Sequence, residues 1–288
     1  MSAGASTPFQ QPIIGIRDSG VGGLTVAKEI KKLFPHAQLL YFADTAHVPY
    51  GDRTPTEVRH FALSISEFLI AKGAQLVVFA CNTSSAYALQ IAKKKFSTPL
   101  VGMIEPGARA ALEVNTKNAP IGVLATHATV QSRMYARWIE GLNPGVKCVE
   151  VACPEFVPLV ESDQTSTRAA QIACEKYLCP LLETGVKTIV LGCTHYPLLL
   201  PTLQEVASEY SDVKFVDPAQ AVAREVFGCF AVDASTPAGN ERAARDVFYV
   251  SGAQDGVSIW IQKLLDEAHP QIETGPIFTL PNNSELEA

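Results

Sequence analysis

The chain has 288 residues, 47% of them hydrophobic and 18% charged, with a net charge of −6. Such a composition describes a globular chain with an ample core, long enough for two domains, and excludes a disordered polymer. The acidic balance, without any basic run, excludes a general attraction to nucleic acid or anionic membranes, and no apolar stretch is long enough to span a bilayer. Met1 to Pro12 is small and polar, with no basic residue before Arg17. It does not read as a signal peptide, so a cytoplasmic location is expected.

In chain order, strands and helices alternate. Ile13 to Arg17 reads as a buried strand and Leu24 to Phe34 as a helix with Ala27, Ile30 and Phe34 on one face. Gln38 to Ala43 is the next strand. Thr54-Pro55-Thr56-Glu57 is a capping box with proline at the first helical position. It opens a helix with Val58, Phe61, Ala62, Ile65 and Leu69 at helical spacing, ended by Gly73. Strand Leu76 to Ala80 leads into helix Ser84 to Phe96, and Leu100 to Ile104 is a further strand. Glu105-Pro106-Gly107 reads as a break, where the chain is expected to cross into a second domain.

The second half repeats the theme: strand 120–125, helix 130–141, strand 147–152, helix 166–184, strand 187–191, helix 198–210 and strand 213–216. A helix (Ala219 to Phe230), a polar loop (Asp233 to Asn240), a strand (Val247 to Val250) and a helix (Gly256 to Ala268) follow. They are expected to complete the first sheet, with the last twenty residues a loose tail. The expected fold class is α/β, with two pseudo-symmetric doubly wound domains of mainly parallel strands and the active site in the cleft between them. The first domain would comprise 1–104 plus 217–288 and the second 105–216.

Three sequence pairs lie in register between the halves. Ile14-Gly15-Ile16-Arg17-Asp18-Ser19 aligns with Ile121-Gly122-Val123-Leu124-Ala125-Thr126 at an offset of 107. Ala43 to Pro49 aligns with Ala152 to Pro158 at an offset of 109. Ala80-Cys81-Asn82-Thr83 aligns with Gly192-Cys193-Thr194-His195 at an offset of 112. Each cysteine follows a short apolar run and precedes hydroxyl or amide residues and a helical pattern. An internal duplication explains all three pairs.

In open α/β sheets, ligands bind outside the carboxyl ends of the strands. Asp18, Ser19, Asp44, Cys81, Asn82, Thr83, Thr126, Cys153, Cys193, Thr194 and His195 all fall there. Helix starts favour a thiolate at Cys81 and Cys193. A thiolate on one side of a carbon and a thiol on the other would remove a proton and return one to the opposite face, which is racemisation or epimerisation without a cofactor. The competing role for a free cysteine is a small buried hydrophobe. That role suits Cys148, Cys174, Cys179 and Cys229; the paired context argues against it for Cys81 and Cys193. Seven cysteines without CxxC spacing point to reduced thiols and to no metal site. Gly20-Val21-Gly22-Gly23 would let backbone amides approach an anion, with helix capping as the alternative role of Asp18. Thr25 stands where a dinucleotide fingerprint needs its third glycine, so a small carboxylate fits better than a phosphate.

These motifs resemble bacterial glutamate racemase: Asp18-Ser19-Gly20-Val21-Gly22-Gly23, Pro49-Tyr50-Gly51, Ala80-Cys81-Asn82-Thr83, Ile104-Glu105-Pro106-Gly107, Cys153 to Glu161 and Gly192-Cys193-Thr194-His195-Tyr196-Pro197. The resemblance covers roughly Ile13 to Val226. It implies cofactor-independent interconversion of L- and D-glutamate, supplying D-glutamate for peptidoglycan. Cys81 would deprotonate D-glutamate, assisted by Asp18, and Cys193 would deprotonate L-glutamate, assisted by His195 and Glu161. Ser19, Tyr50, Gly51, Asn82, Thr83 and Thr194 would bind the carboxylates and amino group, with Thr126 and Thr129 lining the pocket. A homodimer is also implied, with no nucleic-acid or membrane partner. Two positions depart from the family: Arg17, where an apolar residue is usual, and His47, where many members carry arginine. Two rival readings are an aspartate racemase on the same fold and a binding protein that holds a dicarboxylate between two lobes. The second gives no reason for a thiol at both equivalent positions.

Overall fold

A computed structural model describes residues 12–230 and 245–280. The Asp233 to Asn240 loop and the leader before Pro12 lie outside the described residues. Strand β1 (Ile13–Asp18) is followed by α1 (Leu24–Leu33), β2 (Gln38–Ala43), a short 3₁₀ turn (Tyr50–Asp52), α2 (Pro55–Ala71), β3 (Leu76–Phe79), α3 (Asn82–Lys95) and β4 (Leu100–Gly102). The chain continues with α4 (Ile104–Val114), β5 (Ile121–Ala125), α5 (His127–Ser132), α6 (Met134–Leu142), β6 (Cys148–Ala152), α7 (Phe156–Glu161), α8 (Arg168–Glu183) and β7 (Thr188–Gly192). A 3₁₀ turn (Tyr196–Leu199), α9 (Leu200–Ala207), β8 (Lys214–Val216), α10 (Pro218–Cys229), β9 (Val247–Val250), α11 (Asp255–Leu265) and β10 (Gln271–Thr274) complete the described chain.

Every strand pairing is parallel, in two sheets ordered β10-β9-β2-β1-β3-β4 and β6-β5-β7-β8. The block β2-β1-β3-β4 recurs as β6-β5-β7-β8. In the first sheet Ile14 pairs with Leu39 and Leu76; in the second Ile121 pairs with Cys148 and Thr188. The spacings from Ile14 to Ile121, Leu39 to Cys148 and Leu76 to Thr188 are 107, 109 and 112. These are the offsets of the duplicated sequence pairs, so strand pairing carries the duplication residue by residue.

Local chemistry explains the elements. Thr54 Oγ1 accepts from the Glu57 amide at 3.3 Å and Glu57 Oε2 accepts from the Thr54 amide at 2.9 Å, closing the capping box of α2. All five residues of its apolar stripe are buried. Gly73 follows at φ 100°, a conformation that costs glycine little. One apolar cluster runs through both halves, from Ile14 and Ile16 on β1 to Ile189 and Leu191 on β7, with Val222 and Val226 of α10 within it. Helix α10 packs on both α1 and α4 and so ties the sheets together.

Four expectations are corrected. Glu105-Pro106-Gly107 does not break the chain but lies in the first turns of α4. There Pro106 needs no amide donor, and a Cβ on Gly107 would lie only 3.0 Å from Pro218 Cγ, so glycine lets α4 and α10 pack closely. The helix expected over 130–141 is two, α5 and α6, separated by Arg133 at φ 55°. The helix expected over 198–210 begins as a 3₁₀ turn and becomes α-helical only over Leu200–Ala207. The tail is ordered through its first part: β10 pairs with β9, the Gly275 amide donates to the Val250 carbonyl at 2.8 Å, and Phe278 packs on Phe42.

Deleting residues 269–288 therefore exposes the β9 edge and the Phe42 face. Thermal unfolding should show the truncated chain destabilised by about 2 kcal/mol, a Tm lower by roughly 4–8 °C. An unchanged Tm would mean that β10 adds nothing to the sheet.

Candidate active site

The reversal of winding lies between β1 and β3 in the first sheet and between β5 and β7 in the second. Crevices open at such points in parallel sheets. A cleft holding about 290 Å³ of empty space, partly open to solvent, lies between the two strand edges. Cys81 and Cys193 both line it, at 6% and 7% exposure. Ser19, Tyr50, Gly51, Asn82, Thr83, Thr126, Thr194 and His195 also line it. Pro49 and Val157 complete the wall; both sat inside quoted motifs but carry no polar group that would single them out. Asp18, Glu161 and Thr129 stand behind this lining.

On the Cys193 side, His195 joins two partners. Its Nδ1 lies 3.7 Å from Cys193 Sγ and its Nε2 lies 2.6 Å from Glu161 Oε1. Burial opposes charge on His195, but the bonds to Cys193 and Glu161 outweigh it and raise the imidazole well above its ordinary value. Burial likewise opposes charge on Glu161, yet His195 outweighs it and lowers the carboxyl. His195 is therefore an imidazolium that donates to a carboxylate on one side and towards a thiol on the other.

On the Cys81 side, Asp18 is fully buried. Its Oδ2 accepts from the Gly20 amide at 3.1 Å and its Oδ1 accepts from Thr194 Oγ1, in the other half, at 3.3 Å. Asp18 does not cap α1, whose N-cap is Gly23 with no side-chain bond. Burial, then the charge of Asp18, push the Cys81 thiol up, while Arg17 and the Ser84 backbone contact pull it down. The helix-start expectation of an acidic thiol is thus corrected at Cys81. Cys81 is the N-cap of α3, yet burial and then Asp18 raise its thiol; Cys193 is followed by a turn and a 3₁₀ segment before α9.

Binding groups surround the thiols. Asn82 Oδ1 accepts from Tyr135 Oη at 2.7 Å, while its buried Nδ2 has no partner among the described residues. A buried, unpaired amide donor on a cleft wall is a receptor for an acceptor group. The hydroxyls of Thr83, Thr126 and Thr129 meet at 2.8, 3.1 and 3.0 Å. A Cβ on Gly51 would lie 2.9 Å from Thr126 Cβ, so only glycine fits there. Tyr50 donates its hydroxyl to Asp44 Oδ2 at 2.6 Å, and Asp44 also accepts from Ser251 Oγ at 2.7 Å. The Tyr50 hydroxyl is thereby committed to the scaffold. Tyr135, on the apolar stripe of α6, had no signal in the sequence.

Of the remaining cysteines, Cys148, Cys153 and Cys174 are buried, whereas Cys179 is half-buried and Cys229 is exposed at the end of α10, so the buried role expected for Cys229 is corrected. Cys153 is fully buried, outside the lining, and its carbonyl accepts from Tyr196 Oη at 2.9 Å. Burial pushes Cys148 up, and Cys174 up to about 12. Among the described residues no cluster of three or more His, Cys, Asp or Glu is arranged to hold a metal ion. None of their helices is long and apolar enough to cross a membrane.

A profile described as Asp/Glu/hydantoin racemase matches residues 24–226. A glutamate racemase from Geobacter metallireducens is 49% identical over 213 residues, 74% of this chain and 78% of its own. The crystal structure of a glutamate racemase isoform from Bacillus anthracis superposes with a TM-score of 0.84 at 32% identity, covering 92% of this chain and 98% of that one. A Francisella tularensis glutamate racemase in complex with D-glutamate superposes with a TM-score of 0.82 at 27% identity, covering 93% and 98%.

Glu161→Gln should lower the His195 value by about one unit, read from the imidazole proton shifts by NMR. The raised His195 contributes stability below its ordinary 6.5 and loses it as pH rises through the raised value. The lowered Glu161 contributes above its ordinary 4.5 and loses it as pH falls through the lowered value. Urea titrations should therefore show the stability gap between parent and variant widest from pH 4.5 to 6.5. An unshifted His195 would show that Glu161 does not hold its proton.

Proposed function

This chain belongs to the Asp/Glu/hydantoin racemase family, and from that premise we propose that it interconverts L- and D-glutamate by proton transfer between Cys81 and Cys193. The observation that carries the reading is the placement of both thiols in one cleft, at equivalent points of two equivalent sheets. A dicarboxylate-binding protein has no use for that arrangement.

With D-glutamate bound, the Cys81 thiolate takes the α-proton, and its S–H bond forms as the C–H bond breaks. The Cys193 thiol then donates its proton to the opposite face of the carbanion, giving L-glutamate and a Cys193 thiolate. The reverse direction exchanges the roles. Holding acid and base on opposite faces supplies both transfers without solvent reorganisation. The His195 imidazolium supports Cys193 as thiolate, and Glu161 keeps His195 charged. Asp18 favours the protonated form of Cys81, the form that acts as acid on the carbanion from L-glutamate. Asn82 Nδ2, with Ser19, Thr83, Thr194 and the Gly51 turn, receives the carboxylates and the amino group; Tyr50 supplies the wall, and Thr126 and Thr129 position Thr83. The D-glutamate product serves peptidoglycan synthesis. A homodimer in the cytoplasm, needing no cofactor, accompanies this reading.

Circular dichroism with L-glutamate and, separately, D-glutamate, and no added cofactor, tests it. Both signals should decay to zero, and faster than those of aspartate. Cys81→Ala and Cys193→Ala should each lose about 10³-fold or more of kcat; a single mutant that still racemises at a substantial rate would sink the two-thiol mechanism. Preference for aspartate would overturn the substrate. Asn82→Ala should raise KM about tenfold through loss of one donor to a charged group. An unchanged KM would remove Asn82 from the carboxylate site.

A further inference from the structure

Arg17 is the most anomalous side chain in the molecule. It sits on β1 with no exposure, and among the described residues Nε, Nη1 and Nη2 all lack a hydrogen-bond partner. Its guanidinium carbon lies 5.6 Å from the Tyr50 ring centroid and 5.2 Å from that of Phe79, so aromatic faces cover it instead. An arginine cannot shed its charge by deprotonation. Burying that charge unpaired is strongly unfavourable unless an anion forms within its field.

The groups around it leave one candidate. Asp18, the next residue, is occupied by the Gly20 amide and Thr194 Oγ1. Asp44 is occupied by Tyr50 Oη, Ser251 Oγ and His47 Nδ1, the last at 2.9 and 3.0 Å. Tyr41 and Tyr50 are buried phenols that burial keeps neutral. Cys81 packs in the same apolar cluster as Tyr50 and Phe79, the two rings that cover Arg17. Facing Cys81 are Arg17 and Asp18 from β1, Tyr41 from β2, Tyr50 from the turn after β2, and Cys193 across the cleft. Of all these, Arg17 is the one cation.

We propose that Arg17 is a positioning residue for Cys81: its unpaired charge, held behind the Tyr50–Phe79 wall, stabilises the Cys81 thiolate that removes the α-proton. This rests on the two-thiol reading above. Asp18 and Arg17, adjacent on one strand, then act in opposition on the same sulfur. The carboxylate favours the acid form and the guanidinium the base form, so Cys81 can serve in both directions.

The test reads Cys81 directly and needs no turnover, so its failure is distinct from failure of the racemase reading. In a Cys193→Ala background, iodoacetamide alkylation of the Cys81 peptide is followed by mass spectrometry from neutral to alkaline pH. Arg17→Met should slow alkylation about tenfold near neutral pH and move its midpoint up by about one unit, with the rates converging on the alkaline plateau. A profile that matches the Arg17 parent overturns the proposal. So does equal slowing at every pH, plateau included, which assigns Arg17 to packing alone. If Arg17→Met fails to fold, Arg17→Gln, neutral and closer in shape, must give the same displaced midpoint, and a parent-like midpoint there overturns the proposal equally.

Discussion

The site depends on one close approach, the glycine turn after β1 pressed against the Thr194-His195 turn of the other half. A Cβ on Gly22 would sit 2.7 Å from His195 Nδ1 and 2.9 Å from the Thr194 carbonyl carbon. A Cβ on Gly20 would sit 2.8 Å from Glu161 Oε1. Only bare backbone brings the two strand edges this near. The contact aligns the Asp18–Thr194 hydrogen bond and seats the His195–Glu161 pair against the first half. The continuous apolar cluster and α10 hold the rest of the sheets together. These glycines are a steric requirement of the contact between the halves.

Electrostatics divide the cleft unequally although the backbone repeats. Cys81 lies in the field of a carboxylate and a guanidinium that neighbour each other on one strand. Cys193 lies beside an imidazolium anchored by a carboxylate. Position 195 carries the histidine, and the matching position in the first half is Thr83, part of a hydroxyl cluster. Duplication thus supplied two equivalent thiol positions, and later divergence of their neighbours separated the two environments.

Much of this was legible in the sequence because it depends on register. Parallel pairing preserves the spacing of matched segments, so the three offsets survive unchanged in the ladders of both sheets. The capping box, Gly73 and the apolar stripe of α2 are local signals with local causes. The errors arose where context overrides a local rule. Pro106 reads as a breaker but occupies a helical first turn; helix starts read as acidifying, yet burial and Asp18 raise the thiol at Cys81. The tail reads as loose from its composition, but β9 presents an unpaired edge that β10 fills. Arg17 was visible only as a departure from its family, because nothing local shows that a strand arginine is enclosed by Tyr50 and Phe79. The pairing of Asn82 with Tyr135 joins helices from different halves of the sequence, and no local pattern encodes it.

The burial of both cysteines in the cleft has a consequence for successive turnovers. On the two-thiol mechanism proposed above, each passage from D- to L-glutamate ends with the proton on Cys81 and the charge on Cys193, the form suited to the enantiomer just made. Before a second D-glutamate can react on that mechanism, the two thiols must trade protons, and at 6% and 7% exposure neither meets much solvent. The empty protein therefore carries a brief record of the last hand it produced. At high substrate, erasing that record is a step of the cycle in its own right.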